Sequence, residues 1–406
     1  MSRLLGVEEA LLRVLACVEA PAPVEDVPLS DATGRTLARD IAALRTQPPF
    51  ANSAMDGYAV RTADARAGAQ LAVIGESAAG RAFAGRMSAG QAVRIFTGAP
   101  LPDGADAVLM QENGEREGDA LLCREAVSPY ENVRHEGVDF RAGEPLLLAG
   151  RRLTPRDVGL AAAANHASLP VHRRPKIAIL ATGDELVPPG APIGPAQIVS
   201  SNNFVTKGVV EAAGGVAVDL GLARDDRAEL ARAMARAEGC DVLVTLGGAS
   251  VGDYDLVQEV LKSEGLALDF WRIAMRPGKP LMLGRLNRRI VLGLPGNPTS
   301  SYVCAVLFLR PLLRAMLGDL EAGADPTVFA VLGTDVGPNG ARQDYVRSAM
   351  SWGADGILRV HPEGDQDSSL VGVLARARAL LVRPPHAPAA AKGAPCRAIP
   401  LEPLGV

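Results

Sequence analysis

The chain has 406 residues, 48% apolar and only 4% aromatic, so it can bury several aliphatic cores and is long enough for two to four domains. With 42 basic against 46 acidic residues its formal charge is −4, which gives no reason to expect a nucleic acid or an anionic membrane as partner. No apolar run reaches membrane-spanning length, and Met1 leads straight into an amphipathic pattern with no sign of a signal peptide.

In chain order, Val7, Ala10, Leu11, Val14, Leu15 and Val18 fall on one face of a helix that Pro21 and Pro23 end. A second short helix is expected near Asp31 to Arg39. From Thr46 to Gly143, short apolar pieces alternate with Gly, Pro and Asp turns, which reads as a mostly β domain. Helix returns around Pro155 to Ala164. The first domain is therefore expected to be discontinuous, residues 1–45 and 145–174, a helical or linker unit with the β domain 46–144 inserted.

Residues 175–325 repeat a β–α pattern. The strand candidates are Ile177–Leu180, Val216–Leu220, Val242–Leu246 and Ile290–Leu294. The helix candidates are Phe204–Ala213, Arg227–Glu238, Leu256–Lys262 and Thr299–Met316. Nearly continuous apolar strands alternating with helices imply a parallel, doubly wound sheet, whose ligand lies beyond the carboxyl ends of its strands. Residues 326–406 return to short strands, expected as a small β-barrel or sandwich. The fold class is α/β multidomain.

Three strand ends carry glycines, hydroxyls and carboxylates. Thr182-Gly183-Asp184-Glu185 follows the first strand. Gly247-Gly248-Ala249-Ser250-Val251-Gly252-Asp253-Tyr254-Asp255 follows the third. Leu294-Pro295-Gly296-Asn297-Pro298-Thr299-Ser300 ends the fourth and opens a helix. Gly247, Gly248 and Gly252 can wrap a phosphate with backbone N–H groups, and a helix start after a tight turn receives an anion. Nearby, Met275-Arg276-Pro277-Gly278-Lys279-Pro280 fixes two cations on stiff backbone. Glu185 and Asp255 beside an anion call for a divalent cation, for which Mg²⁺ is the usual choice. Asp225 can join them, while Asp225 or Asp226 can equally cap the next helix.

The scattered Cys17, Cys123, Cys240, Cys304 and Cys396 suit small buried hydrophobes in a reducing cytoplasm, and the five histidines show no ligand spacing. In the inserted domain, Asn52-Ser53-Ala54-Met55-Asp56-Gly57-Tyr58-Ala59 and Thr97-Gly98-Ala99-Pro100 read as turns when taken alone. By spacing alone, Arg347 reads as a surface residue on a strand.

Taken together, these stretches, with Arg276-Pro277-Gly278-Lys279-Pro280 among them, resemble the molybdopterin molybdenumtransferases, bacterial relatives of the C-terminal domain of gephyrin. The resemblance implies an elongated four-part subunit and a homodimer. It places the site between the β–α domain of one subunit and the inserted domain of the other, which gives Asp56 and Thr97 a ligand role. Adenylylated molybdopterin and molybdate would be the substrates, with AMP released and Mg²⁺ assisting. Asp56, Thr97, Glu185, Asp225, Asp255, Arg276 and Lys279 are its implied catalytic positions, with Glu185, Asp225 and Asp255 on the metal. Gly247, Gly248, Ser250, Gly252, Pro295, Gly296, Asn297, Pro298 and Arg272 are implied to bind substrate, and Arg347 and Ser368 to meet molybdate. The molybdopterin adenylyltransferase and molybdoenzyme maturation factors are the implied protein partners. Rival readings are a molybdopterin adenylyltransferase and a scaffold on the same fold. The chain departs from the family where Arg272 and Arg276 replace a frequent lysine, Ala249 replaces valine and Asp367 replaces glycine.

Overall fold

The computed structural model describes residues 4–248 and 256–402. The strand Val24–Pro28 pairs antiparallel with Ser168–His172, and Ile41–Ala42 pairs with Pro145–Leu147. Leu37, Ile41, Leu147, Leu169 and Val171 form the core of this two-segment unit. Its helix, Pro155–Ala163, starts on a capping box in which Thr154 and Asp157 satisfy each other's backbone N–H, with Pro155 in the first turn where no N–H is needed. Two expectations are corrected here. Asp31 to Arg39 is no helix. Only a 3₁₀ turn, Leu29–Asp31, precedes irregular chain held by hydrogen bonds such as Leu37 N–H to the Arg151 carbonyl. The first helix, Val7–Ala16, does not join the linker unit's core: Ala10 and Val14 bury in the core of the β–α domain, with the helix packed on Ala305–Leu309 and Arg310–Met316.

The inserted segment forms a six-stranded sheet. Its central strands Gly57–Val60 and Gln91–Ile95 are buried on both faces. Tyr58, Val60 and Ala92 point into one core, while Ala59, Val93 and Ile95 point into the other. This is the period-two alternation that the short apolar pieces predict.

The β–α domain is built on a six-stranded sheet in the order Val216–Ala223, Lys176–Thr182, Val242–Leu246, Arg289–Leu294, Met282–Leu286, Ala267–Phe270. The first four strands are parallel, and all five residues of Val242–Leu246 are buried. The sheet is mixed, not wholly parallel. A hairpin turned at Asn287, φ 55°, adds Met282–Leu286 antiparallel to Arg289–Leu294, and Ala267–Phe270 pairs antiparallel with Met282–Leu286 at the edge. The helix expected over Thr299–Met316 runs from Pro298 but is interrupted by a π turn, Ala305–Leu309. Pro311 has no N–H to donate back into the helix, and the wider turn before it absorbs the break.

In the last domain, Gln343–Trp352, Leu358–Pro362, Val328–Leu332, Pro395–Pro400 and Ala379–Arg383 pair in that order, and the last strand pairs back with the first. This is a closed five-strand barrel. Among the described residues no helix is long and apolar enough to cross a membrane. The five cysteines are free thiols. Cys123 and Cys304 are buried, whereas Cys17, Cys240 and Cys396 are only partly so.

Candidate functional site

The carboxyl ends of the four parallel strands open into a cleft of about 1120 Å³. Lys176–Thr182 delivers Gly183 and Glu185 to it. Val216–Ala223 delivers Asp225, Val242–Leu246 delivers Gly247 and Gly248, and Arg289–Leu294 delivers the Pro295–Pro298 turn. Gly247 is at φ 94°, and a Cβ there would come within 2.8 Å of the Thr182 carbonyl oxygen. Its N–H donates to the Leu294 carbonyl at 3.1 Å. Only glycine allows the two strand ends to approach so closely. Thr182 Oγ1 is buried at the cleft wall and makes no hydrogen bond among the described residues.

The acidic side of the cleft is compact. Asp225 N–H donates to Asp184 Oδ1 at 3.2 Å. Partial desolvation raises the pKa of the Asp225 carboxyl, and repulsion from Asp184 and Glu185 adds to it. The neighbouring Asp226 turns away and caps the helix Arg227–Ala235, accepting from Glu229 N–H at 2.8 Å. Capping and cleft-lining therefore fall to adjacent residues. Among the described residues no three His, Cys, Asp or Glu side chains are arranged as a finished metal cage. Ser250, Gly252 and Asp255 lie outside the described residues. Asp184, in the same Thr-Gly-Asp-Glu run, meets the site only by accepting from the Asp225 backbone, a role that its sequence neighbours do not signal.

The last domain docks on the Pro-Gly-Asn-Pro turn. Asn297 Nδ2 donates to Ser368 Oγ at 2.9 Å, and Thr299 N–H donates to the Ser368 carbonyl at 3.1 Å. Beneath them lies Arg347, which is 1% exposed. Its guanidinium donates long bonds of 3.4 Å to Thr299 Oγ1 and to the Leu370 and Asp365 carbonyls. Burial lowers its pKa, while Asp365, Asp367 and Glu363 act the other way. The reading of Arg347 as a surface strand residue is thus corrected. Tyr345 and Arg347 share the face of Gln343–Trp352 opposite to Val346 and Met350, which pack on the barrel core, and Tyr345 is buried in the core of the β–α domain. Gln366 holds the backbone there at both its N–H (3.0 Å) and its carbonyl (3.1 Å).

The cationic strap sits beside this contact. Met275–Arg276 pairs in parallel with Gln343 and Asp344, and Arg276 Nη1 stands 3.7 Å from Asp344 Oδ2. The Lys279 carbonyl accepts from Ile273 N–H at 3.1 Å, and the next residue, Pro280, lines the cleft. Arg272 lies over the Trp271 ring at 5.2 Å, with its buried Nε making no hydrogen bond among the described residues. The structure thus joins Arg347 and Ser368 to the Asn297 turn, and Arg276 to Asp344.

In the inserted domain, Asp56 Oδ1 accepts from both Thr97 N–H (2.7 Å) and Thr97 Oγ1 (2.8 Å). These two bonds hold the Asp56 carboxyl below the usual range, with a further contribution from Arg94. Among the described residues, none of those lining the cleft comes from the inserted domain. Asp56 and Thr97 are brought to each other, but not to the cleft of the same chain.

Comparison with known proteins agrees with this architecture. Residues 5–165 match the MoeA N-terminal region (domains I and II), 178–315 a probable molybdopterin binding domain, and 330–401 the MoeA C-terminal region (domain IV). A molybdopterin molybdenumtransferase of Haemophilus influenzae is 35% identical over 93% of this chain and 94% of its own length. One from Bacillus subtilis is 34% identical over 93% and 90%. The crystal structure of a molybdopterin biosynthesis moeA protein from Pyrococcus horikosii superposes with a TM-score of 0.83 at 30% identity, covering 98% of this chain and all of that one. The chain belongs to the molybdopterin molybdenumtransferase family.

Proposed function

We propose that this chain inserts molybdenum from molybdate into adenylylated molybdopterin and releases AMP, as a cytoplasmic homodimer in molybdenum cofactor biosynthesis. The observation that carries the reading is the meeting of Glu185, Asp225 and the glycine strand ends in one cleft, with the Pro295–Pro298 turn closing it. Backbone N–H groups at glycines offer donors to phosphate oxygens. The carboxylates would repel that phosphate if they stood alone, and Asp225, raised by partial burial and then by repulsion from Asp184 and Glu185, belongs to a donor set suited to a divalent cation. Mg²⁺ held by Glu185, Asp225 and Asp255 would neutralise charge developing on the phosphoanhydride oxygens.

Arg347, Ser368, Arg276 and Lys279 are the proposed oxyanion groups. A guanidinium that is buried yet makes only 3.4 Å bonds retains donor capacity for an anion. Arg272 and Arg276 keep the charge that relatives place on lysine, and add a planar fork. Asp56 and Thr97 would serve the cleft of the second subunit.

The test incubates purified protein with adenylylated molybdopterin, molybdate and Mg²⁺, and follows AMP and metal-loaded pterin by mass spectrometry. AMP release coupled to metal insertion is expected. Formation of adenylylated molybdopterin from molybdopterin and ATP would instead identify an adenylyltransferase. Neither reaction, with the substrates intact, would leave a scaffold.

A further inference from the structure

Arg94 lies directly behind the Asp56 turn. The strands Gly57–Val60 and Gln91–Ile95 are antiparallel, and Tyr58 stands opposite Arg94. The guanidinium carbon is 5.1 Å from the centre of the Tyr58 ring and 4.8 Å from that of Phe96. A planar cation held against two aromatic rings is already ordered before it makes a hydrogen bond. Both terminal nitrogens are then used. Nη1 donates to the Gly57 carbonyl at 3.0 Å, and Nη2 donates to Gln111 Oε1 at 2.8 Å. Gln111 N–H in turn donates to the Asp56 carbonyl at 3.1 Å. The consecutive carbonyls of Asp56 and Gly57 are therefore both tied to one Arg94–Gln111 unit. Gly57 presses this backbone onto the next strand, since a Cβ there would overlap the Leu109 carbonyl.

The side chain is fixed from the other side. Both Thr97 donors go to Asp56 Oδ1, while Oδ2 makes no hydrogen bond among the described residues. We propose that Arg94 is the positioning residue that holds Asp56 so that Oδ2 is presented outward as an acceptor for a donor on the substrate. The proposal rests on the reading that Asp56 serves the reaction. Arg94 need not touch the substrate, because it acts through the bonds its two terminal nitrogens make to Gly57 and Gln111. Lysine could keep the charge and much of the aliphatic stem, but a single ammonium cannot reproduce the planar fork.

The experiment is a double-mutant cycle on the full chain, with AMP release as the readout. Arg94→Ala should lower turnover about tenfold, the loss that goes with one charge-assisted hydrogen bond. In an Asp56→Asn background the same change should cost less than about twofold, because a group that acts only through Asp56 has nothing left to position. An equal loss in both backgrounds would overturn the proposal. Arg94→Lys guards against simple misfolding. It should keep the wild-type melting temperature yet lose most of what Arg94→Ala loses, and full activity in that variant would also overturn the proposal. If the wild-type chain releases no AMP, the functional reading fails instead. Arg94 is then judged by the Asp56 carboxyl pKa read by NMR. A rise in Arg94→Ala supports the clamp, and no change overturns it.

Discussion

Asn297 Nδ2 donates to Ser368 Oγ at 2.9 Å, joining the turn at a strand end of the β–α domain to a loop of the C-terminal barrel. The two residues are 71 positions apart, and the contact is backed by Thr299 N–H on the Ser368 carbonyl. The turn therefore does two jobs. Its glycine and carbonyl side lines the cleft, where Asn202 Nδ2 donates to the Gly296 carbonyl at 2.7 Å. Its asparagine side anchors the loop that covers Arg347. A ligand that moved this turn would be felt in both domains.

The acidic rim makes a first prediction. Asp225→Asn removes a partly buried carboxylate that Asp184 and Glu185 repel, so the melting temperature should stay level or rise slightly without metal. The Mg²⁺ concentration needed for half-maximal AMP release should rise on the order of tenfold, the worth of a lost charged ligand. A normal Mg²⁺ titration curve in this variant would remove Asp225 from the metal set.

Much of the β–α domain was legible because its strands are unbroken apolar runs and its turns are punctuated by Gly and Pro. Val242–Leu246 was read to the residue. The strand Met282–Leu286 was not, because Gly284 and Arg285 interrupt its pattern and its edge partner Ala267–Phe270 is four residues long. Arg347 escaped for a different reason. Nothing in its own strand shows that residues 363–370 fold over it, and a charged side chain on a strand reads as exposed until its cover is known. The docking of Val7–Ala16 was hidden in the same way: periodicity shows that a face is apolar, not which core receives it. The Asp56–Thr97 pair lies 41 residues apart, and spacing carries no sign of it.

The linker unit yields a stability prediction with a pH sign. Burial alone would raise the Asp157 carboxyl, but Arg151 and the Thr154 donors outweigh it and hold the pKa below the usual carboxylate value. Asp157 thus adds stability above its unfolded pKa of about 3.9, and that share is lost as pH falls through the lower folded value. Thr154→Ala breaks the capping box and should cost about 1 kcal/mol at neutral pH. Urea melts should show the penalty shrinking below about pH 3.9 as Asp157 takes up its proton. A penalty that stays constant down to pH 2 would separate Thr154 from the Asp157 titration.

The separation of Asp56 from the cleft leads to a test of the shared site. Asp56→Ala and Asp225→Ala subunits should each be inactive as homodimers. Mixed dimers carry one site with both residues intact and should recover up to about half of the wild-type activity per dimer, since one of two sites survives. Tagging each subunit differently allows the heterodimer to be isolated and its composition verified. Absence of recovery in verified heterodimers would mean that each subunit completes its own site.

The buried arginine gives the last prediction. Arg347→Ala removes a guanidinium whose bonds to Thr299 Oγ1 and two carbonyls are all 3.4 Å, too long to satisfy it fully within the protein. If an oxyanion is its missing partner, the variant should need roughly ten- to a hundredfold more molybdate, the equivalent of about 1.5–3 kcal/mol. High molybdate should restore part of the turnover, while binding of the adenylylated pterin changes little. Arg342 is a poor control, because it is half-buried and close enough to act on Asp344. Arg378 is better, being 65% exposed at its side chain and paired only loosely with Glu402 at 3.8 Å. A raised molybdate requirement in Arg378→Ala but not in Arg347→Ala would reverse the assignment. A normal requirement in both would leave the oxyanion to Arg276 and Lys279, whose strap reaches the same barrel strand through Asp344.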